Sequence, residues 1–217
     1  MMSALARLAH RVLVPRLACL LAGTVGIGLG LALLVRARLG VGPIDVLHLG
    51  AARALGTSVG GGIIAVQAVL LAMCVALGVR IGAGTVTGLL VPAIVVDLAT
   101  AWLVPAVKAP VAQIGFLLIG AALMCAGAAV YLAAALGPMP RDGLMLALGA
   151  GRVRRTALGR IVLDLGCVGL GAALAGPAVL NDGTLGVGTV ALTAATGPGI
   201  AWLLPRIQSR LATSSAA

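Results

Sequence analysis

Long apolar stretches separated by short polar segments dominate this chain. A transmembrane α-helix needs about 20 mostly apolar residues, and six stretches approach or exceed that length. They cover residues 17–35, 60–79, 85–106, 111–136, 157–179 and 185–204. The pattern therefore predicts an all-α transmembrane protein with about six membrane-spanning helices.

Two further apolar stretches, 44–55 and 143–150, are too short to cross a membrane alone. Twelve residues of helix rise only about 18 Å, whereas the hydrocarbon core is about 30 Å thick. We expect two short helices that either re-enter the bilayer or lie at its interface. The first contains His48 and Arg53, whereas the second is uncharged, so the second is the stronger candidate for entering lipid.

The same motif precedes both short stretches. Residues 39–45 and 136–142 match at Leu, Gly, Pro and Asp, with an offset of 97 residues that also aligns Gly23 with Gly120 and Gly30 with Gly127. Each copy would contain three spans, and because three is odd the copies must lie in opposite orientations. We interpret the chain as two inverted three-helix repeats, each with a short re-entrant or interfacial helix, as in many secondary transporters.

The basic residues indicate how the spans are oriented. With the N-terminus inside, 11 of the 15 Lys and Arg residues fall on the inner side, as the positive-inside rule expects. This predicts a multi-pass protein of a bacterial plasma membrane with both termini in the cytoplasm. The expected organisation is a basic N-terminal segment 1–16, a first membrane repeat 17–107, a second membrane repeat 111–205 and a tail 206–217.

The composition excludes a water-soluble domain. Hydrophobic residues make up 61% of the chain and charged residues 9%, against about 25% charged residues in soluble domains. The net charge of +10 is placed at the ends of apolar runs, so we assign it to topology and anionic lipid, not to nucleic acid. The four cysteines lie in apolar runs without metal-ligand spacing. We expect no enzymatic activity, catalytic residue, metal or cofactor.

Asp45 and Asp142 begin the two short helices, each two residues after a proline. One reading is that each carboxylate caps free backbone N–H groups of its own helix. The other is that the helices dip in from opposite faces, so that their positive N-terminal ends line one cavity. Helix breaks are expected at glycine and proline residues, namely Gly40, Gly42, Pro43, Pro92, Gly137, Pro140 and Pro198.

Asp97 is a further candidate, because it lies about 12 residues into its span without a basic residue of that span close enough to pair with it. Ionisable groups inside a membrane are costly and are commonly functional. We expect Asp97 to be an unpaired carrier of a proton or cation.

Other polar residues of the spans have two readings each. Arg160 and Asp164 are spaced i, i+4 and could neutralise each other or line a cavity. The offset of 97 aligns Asp164 with Gln67, which would place a polar group at the same depth in each half. His48 follows Asp45 by one turn, where it could relay protons or bind solute, or simply face the helix surface.

An ordered series of motifs resembles the YczE/YyaS/YitT family of bacterial integral membrane proteins. The matching pieces are Gly40-x-Gly-Pro-x-Asp45, Gly84-Thr85 leading to Pro92 and Asp97, Arg141-Asp142-Gly143-Leu144-Met145, and Gly186-x-Gly-Thr189 leading to Gly197-Pro198. The resemblance is nearest to the YczE type, since no soluble domain follows the last span. It implies an integral plasma-membrane protein but no established substrate or reaction. Two departures are Asp164, where Glu is expected, and Gly199-Ile200-Ala201, which lacks the acid of the first half.

We expect a small secondary transporter or permease with one solute site near the midplane between the halves. The residues expected at that site are Asp45, His48, Gln67, Asp97, Asp142, Arg160 and Asp164. The alternative is a non-transporting membrane scaffold, or a solute-binding subunit that works with partner membrane proteins through the small-residue stripe Ala22, Gly26 and Gly30. A lipid-handling protein is a third reading. Expected partners are the lipid bilayer, a small solute and either a second copy or a partner membrane protein.

Overall fold

A computed structural model describes residues 2–149, 153–177, 179 and 182–216, with side-chain surroundings for 13–147, 159–177, 179 and 182–211. Within these ranges the chain forms eight α-helices and no β-strand. A π-helical turn, Ala99–Leu103, directly continues the fourth helix. The helices are α1 (Met2–Ala37), α2 (Pro43–Ala54), α3 (Val59–Ala76), α4 (Ala83–Leu98), α5 (Pro110–Ala133), α6 (Pro140–Gly149), α7 (Val153–Ala175) and α8 (Val187–Ala216).

Five of the described helices are long and apolar enough to cross a membrane. Their apolar segments are Leu13–Ala37, Val59–Ala76, Ala83–Leu103, Pro110–Ala133 and Val187–Leu211. The outer surface is also apolar, since Ile94, Leu118 and Val162 are all more than half exposed. Such a surface suits lipid. The remaining predicted span, residues 157–179, corresponds to α7. The first six side chains of α7 lie outside the part of the chain whose side-chain surroundings are described.

The short helix α2 lies inside the protein. Nine of its twelve residues are buried, including Asp45 and His48. It packs between α3 and α7 closely enough that a Cβ on Gly171 of α7 would lie 2.6 Å from Val46 O. Because the protein encloses it, α2 is not a helix lying on the outer surface of the bundle.

The helix α6 is held against α3. Pro140 and Leu144 of α6 are fully buried. The thiol of Cys74 in α3 donates a hydrogen bond to Pro140 O at 3.1 Å. The expected stretch 143–150 ends at residue 150, which lies outside the described residues.

Both copies of the repeated motif have the same backbone conformation. Gly40 and Gly137 have φ of +121° and +112°, a region open mainly to glycine. Two residues earlier, Arg38 and Ala135 have φ of 56° and 52°. The expected breaks at Gly40, Gly42, Pro43, Gly137 and Pro140 thus lie where α2 and α6 begin. The two prolines occupy the first helical position, where a missing N–H costs nothing.

The expected breaks at Pro92 and Pro198 were wrong, because α4 and α8 continue through these residues. A proline inside a helix removes one backbone hydrogen bond. Membrane helices tolerate this when neighbouring groups satisfy the freed carbonyl. Pro92 instead provides packing surface, since a Cβ on Gly28 would lie 3.0 Å from Pro92 O.

The longest close contact joins α1 to α5, which run antiparallel. A Cβ on Gly23 would lie 2.6 Å from Gly127 O, and a Cβ on Gly30 would lie 2.8 Å from Gly120 O. Gly26 also faces Gly127, at 3.4 Å. Small residues allow such close approach between membrane helices. The stripe expected to bind a partner chain is therefore largely used inside this chain.

The loop before each short helix is bound by the first turn of a long helix. Gly188 N at the start of α8 donates to Leu39 O at 2.8 Å. Gly84 N at the start of α4 donates to Leu136 O at 2.9 Å. These bonds fix the loops from which α2 and α6 enter the interior.

The hydrophobic core lies where five helices meet. Its buried side chains include Leu31 of α1, Val46 of α2, Ile63 of α3, Val96 of α4 and Leu192 of α8. This core packs directly against the cavity described next, because Leu31, Ile63 and Leu192 belong to both.

Candidate functional site

One cavity of about 180 Å³ is lined by all eight described helices. The first turns of α2 and α6 both reach it. Its charged lining residues are Asp45, Arg141, Asp142, Arg160 and Asp164. Its volume is below the roughly 300–1,000 Å³ of pockets for drug-sized ligands. The cavity therefore has the size for a small solute.

The lining of the cavity includes three buried polar residues, Asp45, His48 and Gln67, with exposures of 3%, 3% and 6%. His48 Nδ1 lies 3.2 Å from Asp45 Oδ1. Within the part of the chain that the structure describes, Asp45 Oδ2, His48 Nε2 and Gln67 Oε1 are buried without a hydrogen-bond partner. Buried polar atoms are nearly always paired. Three such atoms around one cavity are typical of a binding site.

Asp142 of α6 has a partner on α5. Its carboxylate accepts a hydrogen bond from the hydroxyl of Tyr131. That hydroxyl in turn accepts one from Met139 N at 3.0 Å. A single phenol thus fixes both the loop before α6 and the carboxylate at its start.

Asp164 of α7 is flanked by two arginines. Arg141 of α6 forms a close ion pair with Asp164 Oδ1. Arg160 Nε lies 3.8 Å from Asp164 Oδ2, and another nitrogen of Arg160 donates to Thr196 Oγ1 at 3.3 Å. The expected i, i+4 pair is present, but Arg141 is the closer partner. These contacts hold α6, α7 and α8 together along one wall.

The apolar part of the lining comes from several helices, including α1 and α5. Ile27, Leu31 and Met124 are among its lining residues, and α6 adds Met145. Unbranched methionine side chains adapt to ligands of different shape. The cavity thus combines polar groups at defined places with an adaptable apolar surface.

Asp97 does not line this cavity. Its Oδ2 accepts from Ser58 Oγ at 2.7 Å and its Oδ1 accepts from Gly60 N at 2.8 Å. Ser58 is the N-cap of α3 and Gly60 lies in its first turn. The expectation that Asp97 is unpaired was therefore wrong, because its partners come from a different helix. Asp97 satisfies a free N–H group at the start of α3.

Six of the seven expected site residues line one cavity, namely Asp45, His48, Gln67, Asp142, Arg160 and Asp164. Tyr131, Arg141 and Thr196 also line it and were not expected there. Of these, Arg141 could have been expected from the sequence, because it directly precedes the candidate residue Asp142 in the repeated motif. No group of three or more potential metal-binding His, Cys, Asp or Glu side chains occurs among the described residues.

The chain matches the model of a family described as "Family of unknown function (DUF6198)" over residues 14–205. The chain belongs to this family. It is also 29% identical over 178 residues to an "Uncharacterized protein" of Haemophilus influenzae, which covers 82% of this chain and 78% of that relative. No solved structure matches the chain. The descriptions of the family and of the relative name no activity, so the function is inferred from the residues of the cavity.

Proposed function

We propose that this protein is a small secondary transporter that binds a solute in the cavity between two inverted repeats. The observation that carries the proposal is the single cavity reached by the first turns of both short helices. In inverted-repeat transporters, broken helices at matching positions of the two halves form the binding site. Asp45 and Asp142 occupy those positions here.

The glycine contacts between α1 and α5 support an inverted repeat. Gly23 faces Gly127, and Gly30 faces Gly120. The offset of 97 makes Gly23 equivalent to Gly120 and Gly30 equivalent to Gly127. A two-fold axis produces this reciprocity, in which residue i contacts j of the other unit and j contacts i.

The bonds that hold the two loops support it independently. Gly84 and Gly188 occupy the same place in two Gly-x-Gly-Thr motifs, and Leu39 and Leu136 occupy the same place in the repeated motif. Each glycine N–H donates to the leucine carbonyl of the other half. Each half therefore holds the short helix of its counterpart. Rocking of one half against the other would move both loops together and open the cavity to alternate sides.

The proposal includes six spans, with α7 as the sixth, and both termini in the cytoplasm of a bacterial cell. It also includes kinship with the YczE type, which the ordered motifs support. It assigns no catalytic role to the cavity. Solute coordination is assigned to Asp45, His48, Gln67, Asp142, Arg160 and Asp164, and Asp97 is left out of the site.

Uptake into proteoliposomes tests the proposal. The purified full chain is reconstituted and exposed to labelled small amines, amino acids and monocarboxylates. We expect saturable uptake of one solute class and its loss in Asp142→Asn. The control is Lys108→Gln, which removes an exposed charge from the loop between α4 and α5 and should not change uptake.

The competing reading is a solute-binding subunit that requires partner chains. In the α1 stripe expected to serve such a partner, Gly26 and Gly30 are packed against α5 of the same chain, whereas Ala22 is exposed. Binding of a solute by the purified protein, without uptake of any member of the panel, would favour this reading over transport.

A further inference from the structure

We propose that the cavity recognises a protonated amino group, so that the solute is a small amine or an amino acid. This inference rests on the proposed solute site, and it names the chemistry that the site selects. The evidence is a set of buried polar atoms without a partner, which belong to Asp45, His48 and Gln67 in the lining of the cavity.

Three atoms of these residues can act as hydrogen-bond acceptors. The carboxylate oxygen Asp45 Oδ2 can only accept, and Gln67 presents its amide oxygen Oε1. Neither has a donor among the described residues. A buried acceptor left without a donor is costly. A ligand that donates hydrogen bonds would remove this cost.

The third atom is His48 Nε2. In the tautomer in which His48 Nδ1 donates to Asp45 Oδ1, the other ring nitrogen, Nε2, is an acceptor. The residues that line the cavity then include three acceptor atoms without a donor. An alkylammonium group has three N–H donors, as the lysine side chain illustrates. The donor number of the ligand thus matches the acceptor number of the site.

The charges of the cavity favour the same ligand. Arg141 and Arg160 both flank Asp164. Asp45 is left with His48 as its partner among the described residues. The lining contains three aspartates and two arginines besides His48, so the formal charges of these five residues sum to −1. A monovalent cation at Asp45 neutralises this charge.

The position of the Asp45 carboxylate is restricted by Gly42. A Cβ on Gly42 would lie 2.7 Å from Asp45 Oδ2, so the oxygen packs directly against the glycine backbone. Such packing limits movement of the carboxylate before the ligand arrives. Preorganised acceptors bind a ligand at lower entropic cost.

Simple amines and amino acids both carry a protonated amino group, and they differ in whether they also carry a carboxylate. A simple amine can be bound by the acceptor atoms of Asp45, His48 and Gln67 alone. An amino acid also carries a carboxylate, and Arg160 is the cation less closely held by Asp164, at 3.8 Å. Removal of the Arg160 charge should therefore weaken the binding of amino acids relative to simple amines.

Binding to the purified full chain in detergent tests the proposal, with ethylamine, alanine and propionate as probes of similar size. We expect ethylamine or alanine to bind and propionate to fail. Losing one charge-assisted hydrogen bond should weaken binding about tenfold or more, so Asp45→Asn and Gln67→Leu should both show this loss. Lys108→Gln is the control with unchanged binding. Arg160→Gln should weaken alanine binding relative to ethylamine binding.

Two results would overturn the amino-group assignment. One is propionate binding as tightly as either amino compound, and the other is no binding by ethylamine or alanine. If Asp45→Asn does not fold, unchanged affinity in Gln67→Leu would overturn it as well. Uptake separates this inference from the proposed function. Amine binding without uptake argues against transport alone, whereas uptake of propionate without amine binding argues against the amino group alone.

Discussion

Tyr131 donates a hydrogen bond from its hydroxyl to the carboxylate of Asp142, which joins α5 to the first turn of α6. The offset of 97 places Leu34 at the equivalent position of the first half, and leucine cannot form this bond. The two repeated aspartates therefore have different surroundings, with a phenol at Asp142 and an imidazole at Asp45. The two aspartates therefore match in the sequence motif but differ in their hydrogen-bond partners.

The phenol is expected to stabilise the protein. In Tyr131→Phe the Asp142 carboxylate and Met139 N–H both lose a partner, and an unsatisfied buried group costs about 1–3 kcal/mol. Unfolding of the purified protein in detergent should show this loss. Thr87→Val is the matched control, because that hydroxyl bonds only to carbonyls of its own helix turn among the described groups. Equal stability of the two variants would contradict the role given to Tyr131.

Asp97 is expected to act on stability and not on solute binding. Asp97→Ala removes the acceptor of Gly60 N and Ser58 Oγ, and loss of a helix cap costs about 0.5–2 kcal/mol. Asp97→Asn keeps one carbonyl oxygen and should lose less. Solute affinity, measured on the folded fraction, should equal that of the parent protein. If Asp97→Ala unfolds like the parent protein but no longer binds solute, Asp97 is part of the binding site.

Much of the helix arrangement could be predicted from the sequence, because lipid requires long apolar runs. The predicted span 17–35 lies within the apolar segment Leu13–Ala37. The repeated Gly, Pro and Asp residues likewise indicated where α2 and α6 begin. These features depend on local sequence, which a single chain displays directly.

Partners from distant helices could not be predicted in this way. The donor to Asp97 Oδ1 lies 37 residues away, and the partner Arg141 lies 23 residues from Asp164. Sequence spacing reveals neighbours on one helix, such as Arg160 and Asp164, but not those across a helix interface. For the same reason Asp97 was taken as unpaired.

The reciprocal loop contacts predict matched effects of two substitutions. A Cβ on Gly84 would collide with Gly137 O, and one on Gly188 would lie 2.8 Å from Leu39 O. Overpacking of this kind costs about 1–3 kcal/mol, so Gly84→Ala and Gly188→Ala should both destabilise the protein. Gly115→Ala is the control, because a Cβ there meets no atom within 4 Å. That change should be neutral or stabilise by up to about 1 kcal/mol. If either Gly84→Ala or Gly188→Ala has the same stability as Gly115→Ala, the proposed contacts of these two glycines with the loops before α2 and α6 are contradicted.

Arg141 and Asp164 are expected to be energetically coupled across α6 and α7. The cycle of Arg141→Gln, Asp164→Asn and the double variant should give a coupling energy of about 0.5–3 kcal/mol in detergent unfolding. The matched cycle with Arg160→Gln should give about 0.3–0.5 kcal/mol, as expected for a spaced i, i+4 pair. Stronger coupling of Asp164 to Arg160 than to Arg141 would contradict the assignment of Arg141 as its closer partner.

Asp164→Asn also removes the only described carboxylate near both arginines. The cavity wall then gains one net positive charge, so propionate binding should rise relative to ethylamine, and an unchanged ratio would show that these charges do not act on the solute.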